Sequence, residues 1–149
     1  MQSNDSTIYL ISCVSQKRDQ ACAARDLYIS DWFIKSRRYA ESSPCSWYIL
    51  SAEYGLINPD QIIAPYERTL NTMPAKDRRS WAKCVFLQIL EAEPGLKQVI
   101  FLAGEKYREF LSLHLSEQNV KVLVPMRGLR IGEQKSWLLR HSPLLVEQA

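Results

Sequence analysis

Residues 7–13 read TIYLISC. The run is apolar at nearly every position rather than at alternate ones. A strand with one wet face alternates apolar and polar residues; a strand covered on both faces does not. The stretch therefore predicts a buried strand of a parallel sheet, with Ser12 and Cys13 at its C-terminal end. Three further runs read the same way: Ser46–Ser51, Gln98–Ala103 (QVIFLA) and Val120–Val124, the last closed by Pro125.

Helical patterns fill most of the intervals. Ala23–Glu41 predicts one helix, with Leu27, Tyr28 and Ile34 toward the core. Its Lys35, Arg37 and Arg38 fall near the C-terminal end, where cations complement the helix dipole. Pro74 opens a second helix at a position where a missing N–H costs little, and Pro94-Gly95 stops it. Its apolar stripe is Trp81, Cys84, Val85, Ile89 and Ala92. Gly104 leads directly from the third strand into a third helix, with Tyr107, Phe110 and Leu111 on one face, and Gly132–Arg140 predicts the last. The order β-α-β-loop-α-β-α-β-α predicts an α/β domain: a three-layer sandwich whose mainly parallel four-stranded sheet is flanked by helices. Right-handed crossovers and a strand order of 2-1-3-4 are expected.

The 149 residues suffice for a single domain, with a core spanning about residues 7–140. Hydrophobic content of 46% and charged content of 23% are those of a globular chain. The net charge of +3 permits an anionic ligand without demanding one. Cys13, Cys22, Cys45 and Cys84 form no C-x-x-C pair, and there are only two histidines, so no zinc or other metal site is expected. The polar start MQSNDST has no signal-peptide pattern, and no apolar run reaches membrane-spanning length. A cytoplasmic protein with reduced thiols and no membrane partner is the expectation.

Between the second strand and second helix lies SAEYGLINPDQIIAPYERTL (residues 51–70), with two prolines, one glycine, three acids and two tyrosines. It is too aliphatic and aromatic for a disordered linker, and long ordered loops usually serve a function. In a parallel sheet, this loop and the segments after the other strands share one edge, where open α/β sheets bind ligands. Glu53 at the loop's root is the candidate general acid or base if burial raises its pKa; the alternative is a solvated or capping glutamate. Lys17 can neutralise a phosphate or carboxylate, or be a surface charge. Ser12 can offer its hydroxyl to a ligand or to the turn backbone. Cys13 lacks a histidine activator and reads as a buried thiol.

Tyr54, Tyr66 and Thr69 are candidate ligand contacts, tyrosine bringing both a stacking face and a hydroxyl. Gly104 lets a ligand approach the backbone beside a helix N-terminus, which favours anions. Tyr107 follows as a candidate contact or a core residue. Neither G-x-x-x-x-G-K-[ST] nor G-x-G-x-x-G is present, and no cofactor is expected. Arg127 and Arg130 can bind phosphate, Glu133 can cap the last helix, and Gln134 carries the donor and acceptor that suit a base edge. Arg78 and Arg79 belong to a basic helical stretch, either a solvated face or, with Arg127, a nucleic-acid contact.

The motifs SC-x3-K (Ser12, Cys13, Lys17), A-R-D-L-Y-x-S (24–30), I-L-S-A-x-Y-G-L (49–56), P-Y-x-x-T-L (65–70), L-A-G-x-x-Y (102–107) and G-x-x-I-G-E-Q (128–134) together resemble a small bacterial and phage family known as a domain of unknown function. The S-A-x-Y-G-L…P-Y segment is also similar to part of the longer, DNA-binding YaaA-like peroxide-stress proteins. A fainter likeness is to glycosylase-type α/β domains. These resemblances imply a nucleotide or nucleic-acid partner, DNA foremost. Two functions are therefore expected to compete: cleavage of an N-glycosidic bond on a nucleotide or nucleic acid, and non-catalytic DNA binding in stress or phage defence. A small-nucleotide sensor is a third.

Overall fold

The computed structural model describes residues 6–142. Its strands are β1 (Thr7–Ser12), β2 (Cys22–Ala23), β3 (Ser46–Ser51), β4 (Gly55–Ile57), β5 (Ile62–Ile63), β6 (Gln98–Leu102) and β7 (Lys121–Leu123). Its helices are α1 (Ala24–Leu27), α2 (Asp31–Glu41), α3 (Ala75–Ala92), α4 (Glu105–Glu117) and α5 (Ile131–Arg140). The main sheet has five strands in the order β4-β3-β1-β6-β7. Its four parallel strands follow the expected 2-1-3-4 order, and β1 is central. Leu10 pairs with Tyr48 on one side and Phe101 on the other. Residues 8–12 of β1 are all buried, as a strand covered on both faces requires. Full burial of Leu10 and Phe101 contributes about 1.5–3 kcal/mol each.

The sheet has five strands, not four, because β4 turns back antiparallel onto β3 and pairs Ile57 with Ile49. The turn has two local causes. The Ser51 hydroxyl accepts hydrogen bonds from the Glu53 and Tyr54 backbone N–H groups at 3.1 and 2.9 Å. Gly55 then takes φ +76°, a conformation that a Cβ disfavours. The rest of the expected loop is also tied down. β5 pairs antiparallel with β2, and residues 70–72 form a 3-10 turn in which Thr69 Oγ1 accepts from the Asn71 N–H.

The single helix expected over Ala23–Glu41 is two helices. Tyr28 is extended, and the Ser30 hydroxyl starts α2 afresh by accepting from the Phe33 N–H. On α3 the buried face is Ala82, Val85, Phe86 and Ile89, with Cys84 exposed rather than in the stripe. That face packs on α4 and β4, while α2 packs on α5. Cys13, Cys22 and Cys84 are free thiols. No helix among the described residues is long and apolar enough to cross a membrane.

Candidate functional site

From β1 the chain moves by α2 to β3 on one side, and the next parallel strand, β6, lies on the other side of β1. The segments leaving β1 and β6 therefore diverge, and a crevice opens at their C-terminal ends. A cavity of about 530 Å3 occupies it, lined by Ser12–Gln16 after β1, Ala103–Glu105 after β6 and Val124–Leu129 after β7. Trp32 and Gln134 close it from α2 and α5. A second cavity, of about 820 Å3, lies beside it between Lys17–Asp19 and Pro65–Thr69. The two share Cys13, Val14, Ser15, Asn71 and Tyr107. Those five residues form a waist between two chambers.

Tyr107 organises the waist. It is 5% exposed, and its hydroxyl accepts a hydrogen bond from the buried Leu70 N–H at 3.2 Å. The same oxygen lies 3.4 Å from both Cys13 Sγ and Thr69 Oγ1. Burial first, and Cys13 second, push its pKa up to about 12, so it is a neutral donor and acceptor at physiological pH.

Tyr66 lines the second chamber and is paired with Tyr28. The Tyr28 and Tyr66 hydroxyls are 2.6 Å apart, and burial raises both pKa values well above the ordinary phenol range. Lys17 Nζ sits 4.6 Å from the Tyr66 ring centroid and 5.9 Å from that of Tyr28. Its backbone is fixed because Arg18 N–H donates to the Leu27 carbonyl and Ile29 N–H to that of Gln16. Burial lowers the pKa of Lys17, opposed by Cys13 and Glu67.

In the first chamber, Trp32 Nε1–H donates to Gln134 Oε1 and Gln134 Nε2–H donates to the Leu129 carbonyl, both at 2.8 Å. The amide is thus oriented, with one lone pair and one N–H left over. Arg108 Nε–H donates to the Ala103 carbonyl at 3.1 Å. Arg127 also lines the cavity, in a turn where Gly128 takes φ +83°. Burial, then the Arg127 charge, lowers the pKa of Arg108, with Glu105 acting in the opposite sense.

The match of one family model spans residues 8–140, nearly all of the described residues. The chain belongs to DUF6884, a family of unknown function. It is also similar to the uncharacterized protein YfjM of Bacillus subtilis (strain 168), 31% identical over 101 residues. That match covers 63% of this chain and 63% of the relative, less than two thirds of the relative's own length.

In this DUF6884 chain the chambers gather Ser12, Lys17, Tyr66, Thr69, Gly104, Tyr107, Arg127 and Gln134 of the sequence candidates. Glu53 and Tyr54 line a separate depression with Trp81 and Gln88. The Glu53 side chain is 42% exposed and lies 3.8 Å from that of Arg68. The Tyr54 hydroxyl donates to the Ala64 carbonyl. Arg130 is exposed outside the cavity lining, and its N–H donates to Glu133 Oε1, the expected cap. Arg78, 12% exposed, is engaged internally by Glu109 and the Met73 carbonyl, and Arg79 stacks on Phe110. Trp32, Asn71 and Arg108 were not legible as site residues. Trp32 and Arg108 look like ordinary helix residues, and Asn71 carries no periodic or motif signal.

Proposed function

We propose that this crevice is the active site of a nucleotide-directed enzyme that cleaves an N-glycosidic bond. The observation that carries the reading is the first chamber's pairing of an oriented Trp32–Gln134 platform with the cations Arg108 and Arg127, at the switch in strand order. A base stacks on Trp32 and meets the free donor and acceptor of Gln134, and the sugar lies toward Ser12, Asn71 and Tyr107. Lys17 faces the sugar from the second chamber. Water adds to the sugar C1′, the base leaves with the bonding electron pair, and the water proton passes to a carboxylate. Glu105, which lines the chamber, takes that role in place of Glu53. With right-handed crossovers, α2 and α5 would cover one face of the sheet and α3 and α4 the other, the three-layer arrangement this reading adopts.

The test is mass spectrometry of small products after incubation with normal and modified DNA, RNA and free nucleotides. Free base released by the native chain, lost in Glu105→Gln and kept in Glu53→Gln, is the expected result. No free base from any of these substrates refutes the glycosidic reaction.

A second reading, non-catalytic DNA binding of the YaaA-like type, is favoured by Lys17, Arg18 and Arg68 along the second chamber. It requires retention on duplex DNA that weakens with salt by about 0.9 log unit per log unit for each phosphate contacted. Retention unchanged by charge reversal at Arg18 and Arg68 counts against it.

A further inference from the structure

We propose that Arg108 and Arg127 form an anion seat in the first chamber, so that its ligand is a nucleotide bearing a terminal phosphate rather than a free base or nucleoside. The nucleotide half of this statement rests on the function proposed above; the phosphate half stands on the seat alone.

The two guanidiniums come from different elements, one from the first turns of α4 and one from the turn after β7, and both line the same cavity. The Arg108 side chain and the Arg127 backbone are held in place. Arg108 is anchored through Nε to the Ala103 carbonyl, which leaves its terminal NH2 groups for another partner. Arg127 is fixed by its own N–H donating to the Val124 carbonyl, and Leu129 N–H to that of Met126, both at 3.1 Å. Elsewhere, Arg25, Arg37, Arg68 and Arg78 each meet a carboxylate. Among the described residues, no carboxylate lies within ion-pair distance of Arg108 or Arg127; Glu105 is the acid that acts on Arg108 without closing on it.

Like charges lining one cavity repel, and an anion between them relieves the repulsion. Burial and the Arg127 charge both disfavour the charged form of Arg108, the sign expected of such a seat without its anion. Guanidinium forks match the oxygen geometry of phosphate. The chamber wall is also the start of α4, a helix of 13 residues whose first free N–H groups favour the same charge. Ser12 and Ser15 also line this chamber.

The test is isothermal titration of the native chain, Arg108→Gln and Arg127→Gln with the common nucleoside 5′-monophosphates, the matching nucleosides and inorganic phosphate. Circular dichroism checks that each variant is folded, and Arg127→Gln, on an exposed turn, decides if Arg108→Gln is not. At least one monophosphate is expected to bind the native chain about tenfold or more tightly than its nucleoside. Each substitution is expected to remove most of that difference and leave nucleoside affinity unchanged. Equal affinity for the monophosphate and its nucleoside overturns the seat and spares the nucleotide reading. Inorganic phosphate bound by the native chain, lost in the variants and unimproved by any nucleoside moiety, keeps the seat and overturns the nucleotide reading. Binding of neither phosphate nor nucleotide overturns both.

Discussion

Replacing Tyr107 with phenylalanine deletes one oxygen from the waist between the chambers and leaves the ring in place. No cavity larger than a hydroxyl is created, so the large-to-small packing term is small. The cost falls on the Leu70 N–H, whose 3.2 Å acceptor disappears. Leu70 is fully buried, so water does not replace the lost partner. An orphaned buried donor costs about 1–3 kcal/mol, whereas the two 3.4 Å contacts to Cys13 and Thr69 are long enough to add little. A net loss of about 2 kcal/mol, with a urea m-value of about 2 kcal/mol/M, lowers the denaturation midpoint by about 1 M. Equilibrium urea unfolding of the native chain and Tyr107→Phe measures this directly. A midpoint that moves by less than about 0.25 M at unchanged m refutes the assignment of Tyr107 as the anchor of the 69–72 segment.

Gly55→Ala is expected to cost about 1–3 kcal/mol, because φ is +76° and the new Cβ would meet Gln88 Oε1, itself the acceptor of the Leu56 N–H. Adding Gln88→Ala relieves the collision but not the backbone strain, so thermal unfolding of the double variant must stay below native. Glu53→Gln is expected to change stability by less than about 0.5 kcal/mol, since its ion pair is long and solvated; a larger shift in the midpoint contradicts the exposure described. Arg78→Ala strands Glu109 and the Met73 carbonyl and is expected to cost about 2–3 kcal/mol by denaturant titration. Raised pKa values at Tyr28, Tyr66 and Tyr107 mean that the folded chain holds protons which the unfolded chain releases near the ordinary phenol value. Their stabilisation is complete below about pH 10 and is lost as the pH climbs through the folded values. Lys17, with its lowered pKa, runs the other way and gains on approach to its unfolded value. Unfolding midpoints flat to about pH 9 and falling by about pH 11 are expected, and a rise at the upper end would show the tyrosines are not buried.

The parallel core was legible because TIYLISC and QVIFLA lack alternation, and because helices separate the parallel strands. β4 was not. Three residues, Gly55-Leu56-Ile57, inside a turn-rich stretch carry too short a pattern to register as a strand. The break between α1 and α2 had a local signal, Ser30 before Asp31-Trp32-Phe33, but the surrounding helix formers outweighed it. Lys17, Tyr66, Thr69, Gly104 and Gln134 could be proposed from their positions after strands or in motifs. Glu53 also follows a strand, yet the Ser51-stapled turn directs it away from the chambers. Arg108 and Arg127 gain their meaning only when α4 and the β7 turn meet, which sequence spacing does not reveal.

The central position of β1 has a consequence for dynamics. Its amides are paired on both sides, so they belong to the part of the molecule whose hydrogen exchange requires global unfolding. Ser12 and Cys13, on the chamber floor, are carried by that most persistent element. Pro65–Met73, on the rim, is held by a few side-chain bonds to Tyr28, Tyr107 and Arg78. The rim can therefore open in local excursions while the floor keeps its shape. A ligand would gain entry through the least protected segment and find its contacts already arranged on the most protected one.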